Sequence, residues 1–262
     1  MGHLIRDFMQ GFRHARFWAF SAWLDVVVNS RMSRLGVLWL LLPSFLYIWG
    51  VGSFFAVLQM HTVRDFAIYI AVGTVVFRLA TGVMIESASA FKTSQAFIMD
   101  GHVRLVDFVL RVVAKHLFTF MMSLPAAAIA IAIYPNVDVL GLVMGICLLP
   151  LVMINVLWIG VLFSLAGARY PDLSQLIPNI FMFLYLLTPI IWSAASVPPN
   201  SLRGQVIIFN PLYYLIEVVR APIVQGRLDL HAVLVVTVMA VVGWAVAALA
   251  YRRWARFVPI WL

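Results

Sequence analysis

The fold is decided between Arg34 and Arg64, where the chain reads LGVLWLLLPSFLYIWGVGSFFAVLQMHTV over residues 35–63. These 29 residues contain no Lys, Arg, Asp or Glu. Because a helix needs roughly 20 apolar residues to cross a bilayer, the stretch predicts a membrane-spanning helix. Comparable stretches between charged residues predict five further spans, at residues 66–88, 116–137, 139–168, 173–194 and 230–251.

The composition excludes a water-soluble protein. Of the 262 residues, 64% are hydrophobic and 11% are charged, and the mean hydropathy is +1.02. A soluble domain carries roughly 25% charged residues, so most of this surface is expected to face lipid. The net charge of +8 is spread between apolar runs, which indicates contact with membrane lipids and not with nucleic acid. The sequence therefore predicts an all-α integral membrane protein.

Basic residues predict that both ends of the chain face the cytoplasm, because cytoplasmic segments carry an excess of Lys and Arg. Six spans place both ends on the same side. Thirteen basic residues then lie on that side: Arg6, Arg13, Arg16, Arg31, Arg34, Lys92, Arg104, Arg111, Lys115, Arg169, Arg252, Arg253 and Arg256. Four lie on the other side: Arg64, Arg203, Arg220 and Arg227.

Three stretches do not fit a simple series of six spans. Residues 1–34 precede the transmembrane domain (residues 35–262) and contain a helix predicted to lie in the cytoplasmic interface. Its polar residues recur at spacings of three, four and seven: Asp7, Gln10, His14, Ser21, Asp25 and Asn29. Residues 89–106 form a polar cytoplasmic connection with a turn at Asp100-Gly101. Residues 197–226 are apolar but broken by prolines, and predict short re-entrant helices.

The sequence predicts no catalytic, nucleotide-binding or metal site in this chain. It contains no G-x-x-x-x-G-K-[ST] motif for nucleotide phosphates. Its six histidines lack the spacing of metal ligands, and Cys147, the single cysteine, lies in an apolar run. The first apolar run lacks the cleavage pattern of a signal peptide. Uphill transport would need a partner or an ion gradient, and a two-fold dimer would supply a wider path than six helices alone.

Four motifs in order resemble the type-2 ABC transporter permeases that export O antigen, capsule and teichoic acid. They cover residues 31–262 and are RMSRLGVLW (31–39), ARYPD (168–172) with LTPIIW (187–192), FNPLYY (209–214) with EVVRAP (217–222), and the end from GW (243–244) through YRR (251–253) to IWL (260–262). Pro171 departs from the pattern, since many relatives carry a basic residue there.

The resemblance implies a homodimer of six-helix subunits in the bacterial inner membrane, docked on two copies of a separate ATPase. That partner would bind ATP and Mg, so this chain needs no cofactor of its own. The implied cargo is a polysaccharide on polyprenyl diphosphate, moved from the cytoplasmic to the outer leaflet. The three irregular stretches become, in order, a gate helix, a coupling helix and the re-entrant helices before the last span.

Arg78 is the sharpest candidate for a functional residue. It lies 12 residues into the span that begins near Phe66, or roughly 18 Å along the helix. A charge at that depth is costly and must face a cavity or a partner. Arg78 either lines the transport path and attracts the cargo's diphosphate, or forms a structural pair with Glu86 or Glu217.

Aromatic residues are the second group of candidates. Phe181, Tyr185, Thr188 and Trp192 fall on one face of the predicted fifth span, and Tyr69 and Phe77 lie on the second. Aromatic rings pack well on the C–H faces of sugars, so this stripe suits a polysaccharide path. The alternatives are ordinary helix packing and an interfacial aromatic belt.

The remaining candidates have coupling or structural roles. Lys92, Thr93, Gln95, Asp100, His102 and Arg104 lie where the family has its coupling helix; the alternative is a solvated loop. Glu217 and Arg220 are three residues apart and can pair. Asn210-Pro211 is expected to form the turn between the broken helices. Asp172 is expected to cap the fifth span, with Arg169 at the cytoplasmic surface.

Three other functions compete with polysaccharide export. A type-2 ABC permease for drugs or other lipids shares the fold, but would usually carry a large outer domain or a fused ATPase. A membrane-embedded acyl- or glycosyltransferase would need clustered acids or histidines, whereas the ten acidic residues here are dispersed. An ion-coupled carrier would be expected to show internal repeats and intramembrane acids.

Overall fold

A computed structural model describes residues 2–31, 34, 36–58, 62–101, 103–134, 138–194, 197–198 and 200–262, and the regular structure within these ranges is helical. The first part of the chain forms α1 (Gly2–Arg13), α2 (Ala15–Arg31), α3 (Leu42–Phe45), α4 (Gly52–Leu58), α5 (Val63–Thr93) and α6 (Gln95–Met99). The second part forms α7 (Leu105–Ile133), α8 (Val139–Arg169), α9 (Leu173–Leu187), α10 (Leu202–Ile208), α11 (Pro211–Gln225), α12 (Leu230–Trp254) and α13 (Val258–Trp261). The predicted all-α class is confirmed.

Five helical segments of this structure are long and apolar enough to cross a membrane. They are Gly36–Leu58, Phe66–Thr93, Leu105–Ile133, Val139–Arg169 and Leu230–Trp261. The pair α10 and α11 also passes as one segment, but it bends by 77°. That angle fits either a broken span or a re-entrant loop. Depending on this pair, the count is five or six.

The predicted fifth span is wrong in its length. Helix α9 has 15 residues, which extend only about 22 Å at 1.5 Å per residue. It ends at Leu187 because Thr188 has an extended backbone (φ −81°, ψ 134°), as expected for the residue before a proline. Trp192 therefore does not share a helical face with Phe181 and Tyr185.

The helices that form the second and third predicted spans extend into the connection between them. Helix α5 continues to Thr93, and α7 already begins at Leu105, eleven residues before the predicted start at His116. Between them lies α6, a helix of five residues followed by the turn at Asp100 and Gly101. The polar connection is thus short and largely helical.

The amphipathic segment before the first span is two helices and not one, with a break at His14. The indole Nε1 of Trp18 donates to the Gly11 carbonyl at 2.9 Å, which is the carbonyl that a continuous helix would offer to residue 15. Acidic residues of the polar stripe face the protein. Asp25 accepts from Nε and Nη2 of Arg111 at 2.7 and 2.6 Å, and Asp7 accepts from the Tyr251 hydroxyl at 2.9 Å.

Helix α5 is the centre of the bundle: 78% of its apolar window is buried, and α7, α8, α9 and α11 all pack against it. Its contact with α8 depends on Gly167. A Cβ atom at this position would lie 1.8 Å from the carbonyl oxygen of Ala88, so the two backbones touch directly. Small residues permit this kind of close helix packing in membranes.

Replacing Gly167 by alanine is therefore expected to force α5 and α8 apart. Overpacking of this kind costs about 1–3 kcal/mol or more, which outweighs the roughly 1 kcal/mol that alanine gains over glycine in a helix. Thermal unfolding of the purified protein in detergent should show a clear fall in the midpoint. Gly50→Ala is the control, because a Cβ there meets nothing within 4 Å; equal midpoints would contradict this packing.

Candidate functional site

Arg78 has no acidic partner within the described residues. Both acids that the sequence offers as partners are engaged elsewhere. Glu86 accepts from Lys115 Nζ at 2.8 Å and lies 2.9 Å from His116 Nε2. Glu217 pairs with Arg220. The guanidinium of Arg78 instead lies over the ring of Tyr47, 5.8 Å from its centroid, as a cation–π contact.

Arg78 lines a groove of about 570 Å³ between the first span, α5 and α9. We call it the Arg78 groove. Besides Arg78, its walls comprise Pro43, Tyr47, Thr74, Phe77, Thr81, Ile85, Pro178, Phe181, Met182, Tyr185 and Leu186. Three of the predicted aromatic candidates, Phe77, Phe181 and Tyr185, are therefore brought together with the predicted cation.

Three aromatic rings of the groove, those of Tyr47, Phe77 and Tyr185, are in contact with one another through Tyr185. Tyr185 is in edge contact with Tyr47 and with Phe77, with centroid distances of 5.6 and 5.3 Å. Phe181 is buried, and its ring lies 6.3 Å from that of Phe163. This arrangement presents flat apolar faces beside one positive charge, which matches a ligand with an anionic group and sugar rings.

Arg78 also lines a smaller cavity of about 230 Å³, on the side of α5 that faces α7. It lies between α5 and α7, and Thr81, Thr119, Ser123 and His116 contribute to its walls. Gly82 permits the approach of His116, since a Cβ there would lie 2.5 Å from Nδ1. Arg78 thus stands at the junction of two cavities.

Tyr69 and Trp192, the other aromatic candidates, lie outside the Arg78 groove. The Tyr69 hydroxyl is 3.2 Å from the Pro189 carbonyl and 3.3 Å from that of Trp192. The indole of Trp192 donates to the Leu186 carbonyl at 2.9 Å and lines a separate cavity with Arg203. In this structure Tyr69 therefore holds the turn that follows α9.

Glu217 and Arg220 form the buried pair that their spacing predicts. Arg220 is 1% exposed, and its Nε donates to Glu217 Oε2 at 2.9 Å. Its Nη1 donates to the Pro189 carbonyl at 2.6 Å, and its guanidinium lies 3.9 Å from the centroid of the Tyr69 ring. The pair thereby ties α11 to α5 and to the turn after α9.

Asn210 lies between α10 and α11, at the predicted turn, with Pro211 as the first residue of α11. Its side chain accepts from the Leu212 backbone N–H at 3.0 Å, which caps α11. Its Nδ2 also donates to Thr188 Oγ1 at 2.8 Å. The same residue thus joins the bend to the end of α9.

The predicted cap by Asp172 is wrong. Asp172 stands at the N-cap position of α9, but its side chain makes no capping hydrogen bond. Its backbone is already helical (φ −64°, ψ −22°), whereas a capping residue takes an extended backbone that turns its side chain onto the helix end. Arg169 is exposed and stacks on Trp261 at 5.3 Å.

The coupling candidates lie around α6. Lys92 and Asp100 are exposed, and Gln95 Nε2 donates to the Leu262 carbonyl at 2.6 Å. Arg104 is half-buried, immediately before α7. His102 lies outside the described residues. No group of three His, Cys, Asp or Glu residues could hold a metal ion in the part of the chain that the structure describes.

The chain was compared with protein-family models and with known proteins. No family model matches the chain. The polysialic acid transport protein KpsM of Escherichia coli is 20% identical over 199 residues, which cover 75% of this chain and 76% of KpsM. A second Escherichia coli protein of the same name is 20% identical over 205 residues, with the same coverage of both chains. This chain is a distant homologue of KpsM.

The homology to KpsM confirms the resemblance that the four motifs predict. It also establishes the chain as a multi-pass membrane protein, in agreement with the long apolar helices of the structure. Neither KpsM match assigns a role to an individual residue, so the site rests on the geometry described above.

Sequence reasoning missed the part of the groove that the first span contributes. Tyr47 and Pro43 line the groove, but a span without charged residues gives no indication of which face is turned inward. It also missed the group formed by Glu86, Lys115 and His116. A signal was available there, because Lys115 and His116 are adjacent and basic, and Glu86 is an acid in a neighbouring apolar helix.

Proposed function

We propose that this chain is the membrane subunit of an ATP-driven exporter of polysaccharide linked to polyprenyl diphosphate. It acts in the bacterial inner membrane as a homodimer with both ends in the cytoplasm. Two copies of a separate ATPase supply the energy by hydrolysing ATP with Mg. The α10–α11 pair is re-entrant, and α9 completes its crossing with the turn that follows it. O antigen and capsule are the product classes that fit best.

The observation that supports this function best is the unpaired Arg78 among the aromatic rings of the Arg78 groove. An arginine inside a membrane protein is retained at a cost in solvation, and within the described residues no carboxylate neutralises it. Arginine is well suited to phosphate, which it binds through charge-assisted hydrogen bonds. A cargo with a diphosphate head and sugar rings would complement both parts of the groove.

Homology supports polysaccharide as the class of cargo, because the two relatives carry the name of polysialic acid transport proteins. The alternative is a permease for another lipid or a drug.

ATP hydrolysis tests the proposed function. The chain would be purified with the ATPase whose gene adjoins its own, and hydrolysis would be measured with and without a polyprenyl-diphosphate oligosaccharide. We expect a complex of two chains and two ATPases whose hydrolysis rises with the lipid-linked oligosaccharide. Stimulation by phospholipids or drugs alone, with none by the oligosaccharide, would favour the alternative permease.

Charge reversal near α6 tests the docking of the ATPase. Because α6 is a short helix that directly joins the long helices α5 and α7, and Lys92 beside it is exposed, we expect Lys92→Glu and Arg104→Glu to weaken co-purification of the ATPase severalfold. Arg203→Glu, on the side predicted to face outward, is the matched control. Wild-type co-purification by both variants would contradict the assignment of residues 89–106 as the coupling region.

A further inference from the structure

A further cavity of about 500 Å³ lies against a different face of α9 from the Arg78 groove. We call it the apolar cavity. Helices α5, α8, α9, α10, α11 and α12 contribute to its walls. Its rings come from Trp158, Phe163, Phe181 and Phe209. Phe181 lines both the apolar cavity and the Arg78 groove, so the two spaces adjoin.

The apolar cavity offers no free polar side chain to a ligand or to water. Only Trp158 and Asn210 carry polar side-chain atoms among the described residues that line it. Trp158 Nε1 donates to Asn155 Oδ1 at 3.0 Å. The amide of Asn210 is used by Thr188 and by the Leu212 N–H. A buried water needs two to four polar partners, so hydrocarbon is the natural occupant.

The cavity has the size and the opening that a chain molecule requires. Its volume is about three times the roughly 150 Å³ of an engineered apolar cavity that binds one benzene molecule. Its rim includes Phe209, which is 83% exposed, and Val206, which is 42% exposed. A hydrocarbon chain can therefore enter at the rim and continue into the surrounding lipid.

We propose that the apolar cavity binds part of the isoprenoid tail of the cargo while the Arg78 groove binds its diphosphate. This inference rests on the proposed function and extends it to a second site. Helix α9 contributes Phe181 to the walls of both sites, so the proposal places the head and the tail of one amphiphile on its two sides. The branched methyl groups of an isoprenoid pack against the aromatic rings of the cavity, and its diphosphate carries the charge that complements Arg78.

Photo-crosslinking of the full complex tests the tail site. A benzophenone amino acid would replace Met239, a half-buried residue of the cavity wall. The control position is Val241, which is 66% exposed and lies outside the lining. The probes are alkyne-tagged polyprenyl diphosphate, polyprenol and phosphatidylglycerol. We expect polyprenyl diphosphate to label position 239 on the order of tenfold more than phosphatidylglycerol does, a difference of about 1.4 kcal/mol.

Two further variants distinguish binding of the diphosphate head from binding of the isoprenoid tail. Arg78→Gln should reduce labelling by polyprenyl diphosphate about tenfold and leave labelling by polyprenol unchanged. Val206→Trp should fill the rim and reduce labelling by both probes. Val238→Trp, at a 51% exposed position outside the lining, is the matched control for the added bulk and should leave labelling unchanged.

Equal labelling of position 239 by phosphatidylglycerol would overturn the proposal, because the cavity would then hold any acyl chain. Labelling that survives Val206→Trp, or no labelling above position 241, would also overturn it. Binding here needs neither ATP nor sugar. Labelling of position 239 without export would therefore support the tail site and overturn the proposed function. Export without labelling would overturn the tail site alone.

Discussion

Arg78→Gln is expected to reduce export on the order of ten- to a hundredfold while the protein still accumulates in the membrane. Glutamine keeps most of the side-chain volume and removes the charge. A hydrogen bond to a charged group contributes about 1.5–3 kcal/mol, which corresponds to that range of affinity for a phosphate. Because Arg78 has no acidic partner within the described residues, its replacement leaves no buried carboxylate uncompensated.

Surface polysaccharide on intact cells, compared with total lipid-linked polysaccharide, measures this effect. We expect lipid-linked polymer to accumulate inside cells of the Arg78→Gln strain. Arg78→Lys should retain part of the activity, since lysine keeps the charge but not the planar guanidinium. Arg253→Gln, at an exposed position on α12, is the control. Normal export by Arg78→Gln would remove Arg78 from the transport path.

Arg220→Met is expected to have the largest effect on stability. Removing one partner of a buried ion pair costs about 3–5 kcal/mol, because the other charge remains buried. Here Glu217 would be left without its cationic partner at 6% exposure, and the Pro189 carbonyl would lose the shorter of its two hydrogen bonds, keeping the one from Tyr69. We expect Arg220→Met to accumulate poorly and to unfold at a much lower temperature in detergent.

Removing both charges tests whether the Glu217–Arg220 ion pair has a structural role or a functional role. The double variant Glu217→Leu/Arg220→Met should recover much of the lost stability, since replacing both partners by apolar residues is often nearly neutral. It should not recover all of it, because the contact of Arg220 with the Tyr69 ring is also lost. A single Arg220→Met variant as stable as the wild type would contradict the structural role of the pair.

The sequence located the apolar parts of the long helices because charged residues are costly in lipid and therefore rare there. It missed the true ends of α5 and α7, which extend past charged residues. Arg78 was conspicuous because it is a charge within an apolar stretch. The end of α9 was predictable in principle: the residue before Pro189 is restricted to extended conformations, and a span through Thr188 and Pro189 conflicts with that. The break at His14 was not predictable, because it depends on the hydrogen bond from Trp18 to the Gly11 carbonyl.

The walls of the Arg78 groove could be predicted only in part. Phe77, Phe181 and Tyr185 were found because aromatic residues at helical spacing on adjacent spans are visible in the sequence. Tyr47 and Met182 could not be assigned, since apolar spans look alike on all faces and only tertiary packing decides which face is turned inward. The pairing of Glu86 with Lys115 and His116 likewise requires knowing that α5 and α7 are neighbours.

The central claim is that this chain, powered by its ATPase, moves a lipid-linked polysaccharide through a path that contains Arg78. Its most direct test uses vesicles that contain the purified complex and a fluorescent polyprenyl-diphosphate oligosaccharide. The measurement is the fraction of oligosaccharide accessible on the far face before and after ATP is added. We predict ATP-dependent transfer by the wild type and transfer on the order of ten- to a hundredfold slower by Arg78→Gln. Transfer that proceeds without ATP, or equally well with Arg78→Gln, would contradict the account.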